Sequence, residues 1–241
     1  MLPEPFRPLA RLASASTTAV GRVCGAGLAS AIGVVAAVRN VPKPLHPRGR
    51  YTRATVTRFG SSEVSGVPWL DEKGTTAAVV RHSGAIGFPL GMPDIQGLAL
   101  QVDAEGGRAH LLFATTGLGR VTRYLLTGST RIDGRPYTTV LPYRASSGSI
   151  LLALEPQTAT TMRLLWAHGS GHWHAFGSLA LTDPYDGPPI SFDPMQMTLA
   201  ELVPYPWVRA LRAPAYRVAR RHRGEVLPPD DAAVERRAGG R

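Results

Sequence analysis

The stretch Lys43-Pro44-Leu45-His46-Pro47-Arg48-Gly49 divides the chain, because prolines at 42, 44 and 47 end any preceding helix and an alternating run over 51–59 follows at once. Proline fixes φ and removes a backbone donor, so the helical pattern of residues 1–40 cannot pass through this stretch. His46 sits between two of these prolines on a restricted backbone and is the first candidate for a reactive centre, since imidazole titrates near neutrality. A connector histidine without chemistry is the alternative at this point.

Downstream of 51–59, strand patterns recur at 77–82, 98–102, 109–114, 121–126, 150–154, 162–166 and 173–181. Turn-forming clusters separate most of them, among them Gly106-Gly107, Asp133-Gly134, Ser146-Ser147-Gly148 and Gly169-Ser170-Gly171. No helices of crossover length lie between, so antiparallel pairing is the expectation, and a run of eight strands closes most economically as a barrel. The sequence therefore predicts an α+β chain. A helical arm spans 1–40, an antiparallel β-barrel 41–183, a loop and broken helical segment 184–224, and a disordered tail 225–241.

Composition narrows the function. With 241 residues, 44% hydrophobic and 18% charged, the chain is long enough for one sizeable core. Its net charge of +10 is carried almost wholly by arginine, Lys43 and Lys73 being the only lysines. Arg209, Arg212, Arg217, Arg220, Arg221 and Arg223 crowd together, but no helix-turn-helix, zinc-finger or RNP-like pattern accompanies them. Specific nucleic-acid binding is not expected; a solvated basic helix face is, with an anionic membrane surface as the alternative partner. Cys24 is the only cysteine, which excludes an internal disulfide and a thiolate metal cage and is compatible with the cytoplasm. The uncharged stretch 23–38 is short for a spanning helix and reads as a packed helix, or alternatively as a membrane-associated segment. No Walker-type loop, Rossmann fingerprint or Gly-x-Ser-x-Gly elbow is present.

Segments in order along the chain resemble haem catalases and their shorter relatives. His46-Pro47-Arg48-Gly49 is similar to the distal His-Ala-x-Gly segment. Arg81-His82-Ser83 and Asp94-Ile95-Gln96-Gly97-Leu98-Ala99-Leu100 resemble the catalase runs Arg-Phe-Ser and Asp-x-x-Gly-Phe-Ala-x-Lys. The segments 141–156 and 190–216 look nearer to the shorter catalase-related proteins than to true catalases. The resemblance implies a haem cofactor and a peroxide or hydroperoxide substrate. His46 would be the distal acid–base group, and Arg81 and Lys43 would be propionate partners. Tyr216 would be the phenolate ligand to the iron, with Arg212 one helical turn earlier lowering its pKa. It also implies weak activity. Where catalases carry Asp-Leu-Val-Gly-Asn-Asn-Thr, with an asparagine that helps orient peroxide, this chain has His110-Leu111-Leu112-Phe113-Ala114-Thr115-Thr116. The competing expectation is a non-catalytic barrel that binds an apolar ligand or a partner, at a membrane or elsewhere.

A second constellation owes nothing to that family. Trp166-Ala167-His168-Gly169-Ser170-Gly171-His172-Trp173-His174 reads as a hairpin with His168 opposite His172, and His174 on the same face. Three imidazoles so placed could hold zinc with a position open for water, which would suit a metal-dependent phosphodiesterase.

Overall fold

The computed structural model describes residues 49–85 and 92–210. The expected arm over 1–40 and tail over 225–241 lie outside them. The chain separates into two compact units, Met1–Val203 and Pro204–Arg241.

In the first unit the strands are β1 (Arg50–Phe59), β2 (Lys73–Gly84), β3 (Gln96–Ala104), β4 (Gly107–Thr115), β5 (Tyr137–Thr138), β6 (Tyr143–Ala145), β7 (Gly148–Pro156), β8 (Thr161–His168) and β9 (His174–Pro184), with β10 (Val203–Pro204) at the boundary. A short helix α1 (Pro68–Asp71) falls between β1 and β2. Antiparallel pairing runs β7–β5–β4–β3–β2–β1–β9–β8, and β8 pairs back with β7, so eight strands close into a barrel. β6 shares the β5 edge of β7.

Strand side chains alternate between faces, and the inward set is mostly apolar, with His82 as a buried polar exception. Val56, Val80, Leu100, Leu111, Leu152, Leu154, Met162 and Trp166 are all 2% exposed or less. The lumen is thus a packed core rather than a ligand chamber, each such side chain contributing about 1.5–3 kcal/mol by burial. One mouth is plugged by α1. Its Trp69 meets Phe176 edge-on at 5.8 Å, and the Asp71 carboxylate accepts hydrogen bonds from the backbone N–H groups of Ser65 and Gly66, both at 2.9 Å.

Two expectations are corrected. Residues 121–126 are not a strand; Thr122–Tyr124 form a 3-10 turn, closed where the Gly119 N–H donates to Thr122 Oγ1 at 3.0 Å. The segment is held as a turn by Arg123, which is 2% exposed. Its Nη1 donates to the Gly169 carbonyl (2.8 Å), Nε to Gly119 (3.1 Å) and Nη2 to Leu118 (3.3 Å), while Cζ lies 4.3 Å from the Trp173 ring. The eighth barrel strand is instead the two-residue β5. It is brief because Val140 takes φ = 59° just beyond it, a kink that β-branched residues rarely adopt. The second concerns the helical part expected within 184–224. Residues 199–202 form a turn, in which the Leu202 N–H donates to the Leu199 carbonyl at 3.0 Å, followed by β10. Helix begins at Pro206 and is described to residue 210.

His82 has the inward parity of Ala78 and Val80, is 6% exposed, and its Nε2 has no hydrogen-bond partner. Burial lowers its pKa from 6.5 to about 4.

Two outcomes follow. Arg123→Lys should cost about 2–4 kcal/mol in urea unfolding, because an ammonium cannot reach three divergent carbonyls and lie flat on the indole. A loss under about 0.5 kcal/mol would mean that the buried fork is dispensable. For His82, the folded ring binds its proton less tightly than the unfolded one. The unfolded chain therefore takes up protons first, and stability falls as pH drops from 6.5 towards about 4. That window carries about 3 kcal/mol, which His82→Phe should abolish while keeping the ring volume. Equal acid slopes in the two proteins would remove His82 from the acid response.

Candidate functional site

The outward face of β2, β3 and β4 carries the first candidate site. Register aligns three rows across it: Val79, Gln101 and His110; Arg81, Ala99 and Leu112; Ser83, Gly97 and Ala114. Beside Arg81 the residues on β3 are small, Ala99 and Gly97, and Ala99 and Ser83 are each 8% exposed. Ala99, Gly97, Ser83 and Ala114 form a low-relief strip next to the Arg81 guanidinium, with Leu112 at its far side.

Arg81 is held by what flanks it on β1. It pairs across the ladder with Tyr51, and its Cζ lies 5.7 Å from that ring, whose hydroxyl donates to the Ile190 carbonyl at 3.4 Å. A Cβ added at Gly49 would come within 2.6 Å of Arg81 Cζ. Glycine at 49 thus gives the His-x-x-Gly pattern a local reason: the guanidinium lies against the bare backbone there. A planar fork beside a flat, small-residue surface suits a flat ligand with a carboxylate edge.

The neighbouring row is closed to chemistry. His110 is 1% exposed, its Nδ1 accepts from the Asp193 N–H at 2.9 Å, and its Nε2 therefore carries the proton toward Gln101 Oε1 at 3.0 Å. Burial lowers its pKa, with the Asp193 charge opposing. Both nitrogens are bound, and the Phe192 ring stands 5.1 Å away, so His110 fastens the loop after β9 to the barrel and holds no mobile proton. Sequence reading assigned it no part; only the register of β4 shows it on this face. Ala114, at the position of the missing asparagine, also points outward and offers only a methyl group. Thr115, the next residue, is 0% exposed and spends its hydroxyl on the Thr127 carbonyl at 2.7 Å.

Of the other expected site residues, Lys43, His46, Arg212 and Tyr216 lie outside the described residues. The histidine hairpin is described, and its geometry departs from the expectation. His168 and His174 take up opposite relations to Trp166: His168 edge-on at 5.1 Å, His174 stacked at 4.9 Å. His172 lies in the connecting loop and is exposed. Among the described residues no group of three His, Cys, Asp or Glu side chains is placed to hold a metal ion. The Gly171 N–H donates to the His168 carbonyl at 2.7 Å, which closes a tight turn, and the Gly169 N–H donates to the Ser149 carbonyl on β7 at 3.0 Å; His172 follows that turn, outside the strand ladder. Likewise, among the described residues no helix is long and apolar enough to cross a membrane.

No family profile and no curated protein matches the chain. Solved structures do. Catalase A from Saccharomyces cerevisiae aligns with a TM-score of 0.57 at 10% identity, over 75% of this chain and 61% of that one. A fungal catalase gives 0.57 at 10% over 77% and 60%, and a bacterial catalase 0.54 at 11% over 76% and 57%. The chain thus spans about three-fifths of the length of these catalases. The eight-stranded closed barrel, with its loop after β9 fastened over β4, is the catalase fold.

Proposed function

We propose that this protein binds haem against the outward strip of β2–β4 and supports a weak peroxidase or organic hydroperoxide activity. The observation that carries the reading is the Arg81 guanidinium, laid over Gly49 beside the row of Ala99 and Gly97. The donor set fits a propionate, and the small side chains fit a flat ring. Haem, when bound, supplies the redox chemistry of peroxide reduction. Arg81 holds the propionate through paired, charge-assisted hydrogen bonds, and Lys43 adds a second positive charge. His46 takes and returns the peroxide proton at its imidazole. Tyr216 would hold the haem iron through its phenolate, and Arg212, four residues earlier in the sequence, would favour the ionised form. The likeness of 141–156 and 190–216 to shorter catalase-related proteins belongs to this proposal too.

Weakness of the activity follows from Ala114. Nothing on its side chain donates a hydrogen bond, so peroxide loses the amide that would orient it. The packed lumen gives no support to a ligand chamber inside the barrel, and among the described residues no group of three metal-ligating side chains supports a metal hydrolase.

Protein expressed with adequate haem should show a Soret band that shifts or vanishes in Tyr216→Phe. Absence of any band would overturn the proposal. Arg81→Lys should weaken haem affinity about tenfold, the value of one charge-assisted bond, with the fold unchanged by circular dichroism. His46→Ala should keep the band and lose turnover. Ala114→Asn should raise peroxide turnover about tenfold or more by returning the oriented donor, and no rise would show that the amide position is not what limits the rate.

A further inference from the structure

The α1 mouth, where Glu72, Asp103, Glu105 and Glu201 outnumber Arg58, disfavours a carboxylate, whereas Arg81 on the outward face of β2 attracts one. Tyr51 and Arg53 share the outward face of β1, and Tyr51 stands opposite Arg81 in the ladder. The guanidinium lies over the bare backbone at Gly49, and the Tyr51 ring is the wall beside it, 5.7 Å from Cζ.

Tyr51 is itself fixed by the segment that follows β9. Its hydroxyl donates to the Ile190 carbonyl at 3.4 Å, and its backbone carbonyl accepts from the Tyr185 N–H at 3.2 Å. The Tyr185 ring lies 6.0 Å from the Tyr51 ring, tilted by 43°. Beyond it stands Arg53, whose Cζ is 5.5 Å from the Tyr185 ring and whose guanidinium pairs with Asp186. Arg81, Tyr51, Tyr185 and Arg53 thus alternate as cation, ring, ring and cation, with residues 185–190 keeping the Tyr51 ring in place against Arg81. Tyr51, Tyr185 and Arg81 are each partly buried, which strengthens attraction between a guanidinium and a ring over that of an exposed pair.

We infer that Tyr51 is a positioning residue for the propionate anchor: its ring holds the Arg81 guanidinium in one orientation, so that two N–H groups meet a carboxylate together. This rests on the haem reading above and adds a determinant of specificity to it, free carboxylate over ester. Tyr51 touches no reacting atom and acts only through Arg81. Without the ring, Arg81 keeps its charge but gains rotational freedom, and the paired contact weakens while the long-range attraction stays.

Two variants of the full chain test this. Tyr51→Ile removes the ring with a branched side chain that suits a strand, and Tyr51→Phe keeps the ring and loses only the hydroxyl. Each is checked by circular dichroism, then titrated with haem and with haem dimethyl ester and followed by Soret absorption. Tyr51→Ile should weaken haem about fivefold and leave the ester unchanged, while Tyr51→Phe should stay within about twofold of the unaltered protein for both. A second readout needs no haem: the heteronuclear NOE of the Arg81 Nε–H group, assigned by its loss in Arg81→Lys. It should be high in the unaltered protein and in Tyr51→Phe and fall in Tyr51→Ile. Equal weakening of haem and ester, or an Arg81 side chain that stays as ordered without the ring, would overturn the inference. An unaltered protein that binds neither compound would overturn the haem reading instead, and the NOE comparison would still decide whether Tyr51 orients Arg81.

Discussion

Closure of the ring between β7 and β8 is the constraint from which the other features follow. A closed barrel of eight strands encloses a space that side chains just fill, so each strand owes its inward residues to the core and has only its outward residues to spend. Arg81-His82-Ser83 shows the division in three residues. Arg81 and Ser83 face outward, and His82 between them must go inside. Because the lumen is full, ligands have two kinds of place left: the outer wall and the mouths.

The same constraint sets the cost of polar groups. Arg123 is buried and charged without a carboxylate near it, and it persists because three carbonyls and an indole face replace its water. His82 has no such replacement and stays neutral; its depressed pKa is the expression of that lack. His110 is as buried as Arg123 and is satisfied at both nitrogens, one by backbone and one by an amide. Three polar side chains of similar burial thus do different things, and what separates them is the partners that the loops bring.

Much of the barrel was legible because period-two alternation is written directly in the residues. Six expected strands fall wholly within observed ones, 51–59 in β1 and 109–114 in β4 among them, and 173–181 begins one residue before β9. The eighth was placed wrongly at 121–126, since a pattern cannot distinguish an exposed arginine from one buried under carbonyls. β5 could not be read at all: two ladder residues before a kink at Val140 carry no periodicity. The candidate site was half legible. Motif order pointed to Arg81, but the role of Gly49 and the closed state of His110 depend on contacts between strands distant in sequence. The histidine hairpin failed for a related reason. Spacing predicts which side chains share a face only while the chain stays in the strand, and backbone bonds from Gly169 and Gly171 take it out.

The outer wall and the mouth differ in electrostatics as well as position. On the outer wall the fixed charge is positive and supplied by one rigid fork; at the mouth it is negative and supplied by four short, solvated carboxylates. A planar fork against a flat strip selects by shape and by paired hydrogen bonds, and it changes little with salt once desolvated. Exposed carboxylates around a concavity select by sign and range, and they are screened within a Debye length. Among the described residues lining the mouth, four carboxylates outnumber one arginine, so the sign there is negative in a basic protein. The packing of Arg58 against Trp69 and the neighbouring carbonyls fixes where its single positive charge sits and does not cancel it.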